Sequence, residues 1–264
     1  MEQVEVRDLS VCCELTGEGY PLVLIMGLTG NVDNWHPDMV DILSRELQVL
    51  AFDNRGAGRT VTPDEGEFTI ELFADDTVAL IEAMAIEKTN IFGVSMGGMI
   101  AQELALKYPE KVNNLVLGCT NCGGERSVLP SQEVLQTLMD RSGGDEAIFE
   151  RMLNLTFPAD YLEANPDLVE IARERFMRAP CTDANAVRQF TACLGHNTYD
   201  RLPEIKASTL VMTGTDDMLV PPENSRIIAE HIPGAKLVEY EGAGHLFSVQ
   251  YCEAVTRDLI EFLR

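Results

Sequence analysis

The 264-residue chain has no apolar run long enough to cross a bilayer: its longest, Leu22 to Leu28, falls far short of the roughly 20 residues a spanning helix needs. Its start, Met1-Glu2-Gln3-Val4-Glu5-Val6, has neither the basic opening nor the apolar stretch of a secretion signal. The seven cysteines are odd in number and scattered, which is no disulfide framework, so a reducing cytoplasm is the expected location. Basic residues are scarce as well. Against 43 Asp and Glu stand 20 Lys and Arg, and the resulting net charge of −23 repels phosphate backbones and anionic membrane surfaces. Nucleic-acid and membrane partners are thereby disfavoured. What remains is an ordinary globular balance, 45% hydrophobic and 24% charged. A chain of this length buries roughly three quarters of its unfolded surface, so it needs neither disulfides nor metal to fold.

Hydrophobic periodicity predicts strands over 3–7, 10–15, 22–26, 48–52, 90–94 and 114–118, with helices over 31–47, 69–84 and 96–108. Strand and helix in alternation imply an α/β chain with a parallel sheet covered on both faces. Between 121 and 199 the rhythm breaks. No strand pattern occurs there, and helical stretches at 131–140, 145–155, 167–177 and 183–194 are separated by Pro158, Pro166 and Pro180. The alternation then resumes with a strand at 209–213, a helix at 222–231, a strand at 236–240 and a closing helix at 248–263. A core of 1–120 and 200–264 with a helical cap inserted at 121–199 is the expected organisation.

The sharpest chemical signal is Gly93-Val94-Ser95-Met96-Gly97-Gly98, placed where one strand ends and one helix begins. Small residues on both sides permit a strained turn that lifts the Ser95 hydroxyl clear of the sheet, and the helix N-terminus favours developing negative charge. A serine hydroxyl is a weak nucleophile at neutral pH and needs a histidine base held by an acid. Only four histidines exist. His36 and His231 fall in predicted helices, and His196 closes the helical insertion. His245 differs, because Glu241-Gly242-Ala243-Gly244-His245 follows the last strand as a Gly-rich loop. The acid comes from Gly214-Thr215-Asp216-Asp217-Met218-Leu219-Val220-Pro221, after the preceding strand. Asp217 matches the familiar G-x-x-D-x-x-x-P pattern with Gly214 and Pro221, and Asp216 is its competitor. The chain order Ser95, Asp217, His245 is the order in which a hydrolase with a serine at such a strand-to-helix turn is expected to carry its triad.

Two other features read as structural. Asp53-Asn54-Arg55-Gly56-Ala57-Gly58 lacks the Gly-Lys-Ser/Thr of a phosphate loop and reads as a turn. Cys119-Thr120-Asn121-Cys122 has no second pair at zinc spacing, so its thiols read as packing, with no metal expected.

Taken together, Ile25-Met26-Gly27-Leu28, the Phe52 to Gly58 turn, the Ser95 motif, Leu210-Val211-Met212-Thr213-Gly214 with Asp217 and Pro221, and Gly242-Ala243-Gly244-His245 resemble the α/β-hydrolase superfamily over nearly the whole chain. Within it the chain most resembles small carboxylesterases and the 3-oxoadipate enol-lactonase-like group. The resemblance implies a mostly parallel eight-stranded sheet flanked by helices with an inserted helical cap. It also implies an oxyanion site formed by the backbone amides of Leu28 and Met96. Met26 stands where many relatives carry His, and Ser208 where many carry Pro. Ser95 argues against the superfamily members that use an Asp nucleophile, the haloalkane dehalogenase-like and epoxide hydrolase-like groups.

The expected activity is that of a serine hydrolase, a carboxylesterase cleaving small ester or lactone substrates through an acyl-enzyme without any cofactor, as a monomer or homodimer. Candidate pocket residues are Gly27 and Trp35 from the segment after the third strand, Phe149, Met152 and Phe190 from the insertion, and Met218 and Leu219 beside the acid. Helical spacing assigns the insertion's apolar residues to packing at least as readily. A carbon–carbon bond hydrolase or a cofactor-free perhydrolase would use the same three residues. A ligand-binding member without turnover is the reading from another class.

Overall fold

A computed structural model describes residues 1–264. Eight strands form one sheet: β1 (Glu2–Val6), β2 (Leu9–Thr16), β3 (Tyr20–Ile25), β4 (Leu47–Phe52), β5 (Thr89–Val94), β6 (Val112–Gly118), β7 (Ser208–Gly214) and β8 (Lys236–Tyr240). Their spatial order is β1-β2-β4-β3-β5-β6-β7-β8. The β1–β2 and β2–β4 pairings are antiparallel and all others parallel. The expected mostly parallel eight-stranded sheet is the one observed.

Alternation along the central strands divides the core into two layers. Val23, Ile25, Leu50, Ile91, Leu115 and Val211 face one side, against α2 (Ile70–Ala83), α3 (Met96–Lys107) and α9 (Glu223–His231). Leu22, Leu24, Val49, Phe92, Val116 and Met212 face the other, against α1 (Pro37–Leu43) and α11 (Cys252–Leu263). Burying each such side chain fully contributes about 1.5–3 kcal/mol, which is why these strands read as continuous apolar runs.

Thr69 caps α2 as its position suggests, its side chain accepting from the Leu72 amide. The predicted helix over 31–47 is instead a 3₁₀ turn at Val32–Asn34 followed by the short α1. Pro37 explains the break: it opens α1 and keeps His36 extended, with ψ 126. The closing helix is likewise interrupted at Tyr251 (φ −116, ψ 37), giving α10 (Phe247–Gln250) before α11.

Between β6 and β7 the chain runs through α4 (Gln132–Met139), α5 (Gly144–Thr156), α6 (Ala159–Ala164), α7 (Pro166–Arg178) and α8 (Asp183–Gly195) without adding a strand. The six-residue α6 has no counterpart in the sequence reading, being too short for a periodic signal. The two ends of this segment meet. Gly123 and Asn197 form an antiparallel bridge, and the Thr198 amide donates to the Cys122 carbonyl at 2.7 Å. Gln102 of α3 fastens both ends, donating to the Asn121 carbonyl at 3.0 Å and accepting from the Thr198 hydroxyl at 2.6 Å.

Candidate active site

From β3 the chain crosses to β4 on one side, and it returns to β5 on the other, so the loops after β3 and β5 diverge and leave a crevice at the carboxyl edge. Ser95 stands there, between β5 and α3, with φ 56 and ψ −121, a strained conformation for a residue with a side chain. The neighbouring glycines allow it. A Cβ at Gly97 would strike the Ile25 carbonyl of β3, so only glycine lets the helix start this close to the sheet. Ser95 is held from both sides: its amide donates to the Gly118 carbonyl at 2.9 Å, and its carbonyl accepts from the Thr120 hydroxyl at 2.7 Å.

The loops after β7 and β8 bring Asp217 and His245 together. His245 Nδ1 lies 2.7 Å from Asp217 Oδ2, and Asp217 Oδ1 accepts from the amides of Leu219 and Val220, each at 2.9 Å. Both side chains are buried. Burial of the ring opposes the imidazolium, but the Asp217 carboxylate, with Cys119 beside it, outweighs burial and holds His245 well above its ordinary pKa. Asp216, by contrast, is exposed and hydrogen-bonds to the Thr215 hydroxyl at 3.1 Å.

Cys119, at the end of β6 with φ 40, places its sulfur within 4.8 Å of the donor atoms of Asp217 and His245. These three are the one group whose donors lie close enough to hold a metal ion. The arrangement fits a hydrogen-bonded pair better. Three donors already occupy the Asp217 carboxylate, and a shared cation would have to open the 2.7 Å bond to His245. The C-x-x-C does not act as a pair: Cys122 is buried, with its sulfur near the Gly123 carbonyl and the Ser127 hydroxyl.

Gly27 in the loop after β3 approaches Ser95 closely, since a Cβ there would lie 3.0 Å from the Ser95 Cβ. The next amide, of Leu28, is not engaged by another backbone carbonyl. The Met96 amide opens α3, where the first N–H groups have no intrahelical acceptor.

Comparison with known proteins adds to this geometry. The family model of the alpha/beta hydrolase fold matches residues 20–164 and 165–250. The chain belongs to the α/β-hydrolase family. A provisionally named carbamate hydrolase, RutD of Pseudomonas savastanoi pv. phaseolicola, is 30% identical over 243 residues, covering 92% of this chain and 93% of its own. A provisionally named non-heme bromoperoxidase, BpoC of Mycobacterium tuberculosis, is 32% identical over 251 residues, covering 93% and 94%. The crystal structure of the enol-lactonase from Burkholderia xenovorans superimposes with a TM-score of 0.87 at 27% identity, covering 98% of each chain.

In this α/β hydrolase a narrow crevice opens beside Leu28. Leu28, Leu138, Met139, Met152, Ala186 and Val187 make its walls apolar, with Thr29 and Arg141 at its polar edge. The Arg141 guanidinium is already taken, by Asp183 and the Cys181 carbonyl, both at 2.9 Å. Of the expected pocket residues, Met152 reaches this crevice and Gly27 abuts Ser95. Trp35 does not; it is buried in the core, 5.5 Å from Phe92, because Pro37 turns the segment inward. Phe149 packs on Phe176 and under Arg173 within the helical segment, Phe190 is half-buried away from the crevice, and Met218 points to solvent. Leu219 lies in a small cluster with Leu155 and Val220. His196 is buried at the base of the segment and stays neutral, pushed down to about 3 by burial.

Sequence reasoning missed Asn54 and Gln189. Asn54 is buried and donates to the Met26 carbonyl at 2.9 Å; Gln189 is fully buried and accepts from the Thr29 amide at 2.7 Å. Only the unusual polarity of Gln189 on the inner face of an amphipathic helix marks it in the sequence.

Proposed function

We propose that this α/β hydrolase is a serine carboxylesterase acting on small, largely apolar esters or lactones. The observation that carries the reading is the buried His245–Asp217 pair, joined at 2.7 Å beyond the ends of β7 and β8, together with Ser95 held at φ 56 after β5. Ser95 Oγ attacks the acyl carbon while His245 takes its proton. The alcohol leaves with that proton, and water then hydrolyses the acyl-enzyme with His245 again as base. Asp217 fixes the imidazole tautomer and stabilises its charged form. The amides of Leu28 and Met96 receive the developing oxyanion. Residues 121–199 act as a cap over a core of 1–120 and 200–264, with the apolar side chains Leu138, Met139 and Met152 of the cap beside Leu28. Seven unpaired thiols support a cytoplasmic location.

The test is hydrolysis of a chain-length series of p-nitrophenyl esters by the wild-type protein beside Ser95→Ala. Activity that peaks at short acyl chains and disappears in the variant supports the reading. Equal activity in both proteins removes Ser95 from the mechanism. The similarity to a protein named as a bromoperoxidase favours perhydrolysis as a second reading; peroxide-dependent halogenation lost in Ser95→Ala is its signature.

A further inference from the structure

The loop after β3 contains a local conflict. Gly27 to Gly30 form a turn closed by the Gly30 amide on the Gly27 carbonyl at 3.2 Å. Its third residue, Thr29, has φ 61. That position in such a turn prefers Gly or Asn, and a β-branched residue there is strained by about 1–2 kcal/mol. Rotating the Leu28–Thr29 peptide returns Thr29 to negative φ and relieves the strain. That rotation would also loosen the turn that aims the Leu28 amide.

Two buried side-chain amides oppose it, one on each flank of Leu28. Asn54 Nδ2 holds the Met26 carbonyl on the N-terminal side at 2.9 Å. Gln189 Oε1 holds the Thr29 amide on the C-terminal side at 2.7 Å. Gln189 Nε2 then donates to the Arg55 carbonyl at 2.8 Å, so the two holders are tied to each other through adjacent residues of one loop. Gln189 has no solvent exposure, so water cannot replace either of its bonds. Asn54 comes from the sheet side, whereas Gln189 comes from α8 of the helical segment.

We propose that Gln189 is a positioning residue for the Leu28 amide, so that the helical segment completes the oxyanion site and substrate turnover depends on its seating. This rests on the serine-hydrolase reading. An oxyanion donor works only within a few tenths of an ångström of its place, and displacement is felt in the transition state rather than in substrate binding.

The experiment compares wild type, Gln189→Met and Gln189→Glu with a p-nitrophenyl ester and with a trifluoromethyl ketone of matching chain length. The ketone binds as a tetrahedral adduct: Ser95 Oγ bonds to its carbonyl carbon, the serine proton passes to His245, and the former carbonyl oxygen carries the negative charge. Gln189→Met is expected to lower kcat about tenfold or more with KM nearly unchanged, and to weaken the ketone by a similar factor. Gln189→Glu keeps the acceptor for Thr29 and, when protonated, the donor to the Arg55 carbonyl, so its loss is expected to shrink as the carboxyl takes up its proton. A folded Gln189→Met enzyme with wild-type kcat overturns the proposal, as does a loss confined to KM. Amide hydrogen exchange of the unmutated protein is a second check that needs no variant. Protection of the Thr29 amide supports the clamp; rapid exchange there overturns it. Turnover surviving in Ser95→Ala would defeat the serine-hydrolase reading alone, and the exchange result would still decide whether Gln189 holds the loop.

Discussion

Asp217 gives His245 one carboxylate oxygen and keeps the other for the backbone: Oδ2 meets Nδ1 at 2.7 Å, while Oδ1 takes the amides of Leu219 and Val220. A carboxylate anchored at both oxygens cannot swing away from the ring. Asp217→Asn is therefore expected to cost about 10⁴ in kcat, as tautomer control is lost. Because the carboxylate is the largest influence raising His245, its removal lowers the histidine pKa. Residual activity in Asp217→Asn should then persist to lower pH than in wild type. Asp216→Asn, at an exposed side chain, should stay within about twofold of wild type. Steady-state kinetics across pH for the three proteins checks the assignment.

The closeness of Gly27 to the nucleophile leads to a second expectation. In Gly27→Ala the new methyl would sit 3.0 Å from the Ser95 Cβ and 3.3 Å from the Val94 carbonyl. Relief requires the loop or the serine to move. A shift of that kind costs about 10² in kcat with the fold retained. Kinetics paired with a thermal melt separates the two effects.

Much of this was legible in the sequence, for identifiable reasons. Ser95 and Asp217 each follow an apolar run that reads as a buried parallel strand, and His245 follows the next strand in a Gly-rich loop, so all three fall at the carboxyl ends of parallel strands. Helix 31–47 misled because Trp35, Met39, Ile42 and Leu43 keep helical spacing across a proline that stops the helix from forming before it. Trp35 was then assigned to substrate for want of the turn that buries it. The pocket was least legible, since residues on α4, α5 and α8 meet Leu28 only after the segment folds back. Hydrogen bonds spanning a large separation, such as Gln189 to Thr29, leave no local pattern at all.

Met152 tests the crevice. It shares the apolar wall with Leu28, so Met152→Ala should shift the preferred acyl chain upward by a few carbons while leaving kcat on the shortest ester within a few-fold. The ester chain-length series reads this directly. An unchanged preference would place the acyl group elsewhere.

His196 governs part of the acid stability. Its folded pKa is pushed down from 6.5 to about 3, because the ring is buried and the Arg201 guanidinium disfavours a second positive charge nearby. Between those values the unfolded chain takes up a proton that the folded chain refuses, so stability falls as pH falls through this window and is unaffected above it. At pH 5 this costs about 2 kcal/mol. Urea unfolding at pH 7 and pH 5 should show His196→Gln losing less on acidification than wild type, by about that amount.

The neck at Cys122 to Gly124 and His196 to Thr198 has a further meaning for how such a protein changes. Because the helical segment leaves and re-enters the sheet through one bridged pair, with Gln102 gripping both strands of the passage, the sheet experiences it as an attachment of constant width. Helices beyond that gate are free to lengthen, shorten or be exchanged without disturbing the register of β6 against β7. The limit on such exchange lies in the contacts the helices make beyond the neck, among them the acceptor that Gln189 offers the loop after β3 and the Arg175 guanidinium that donates to the Trp35 carbonyl.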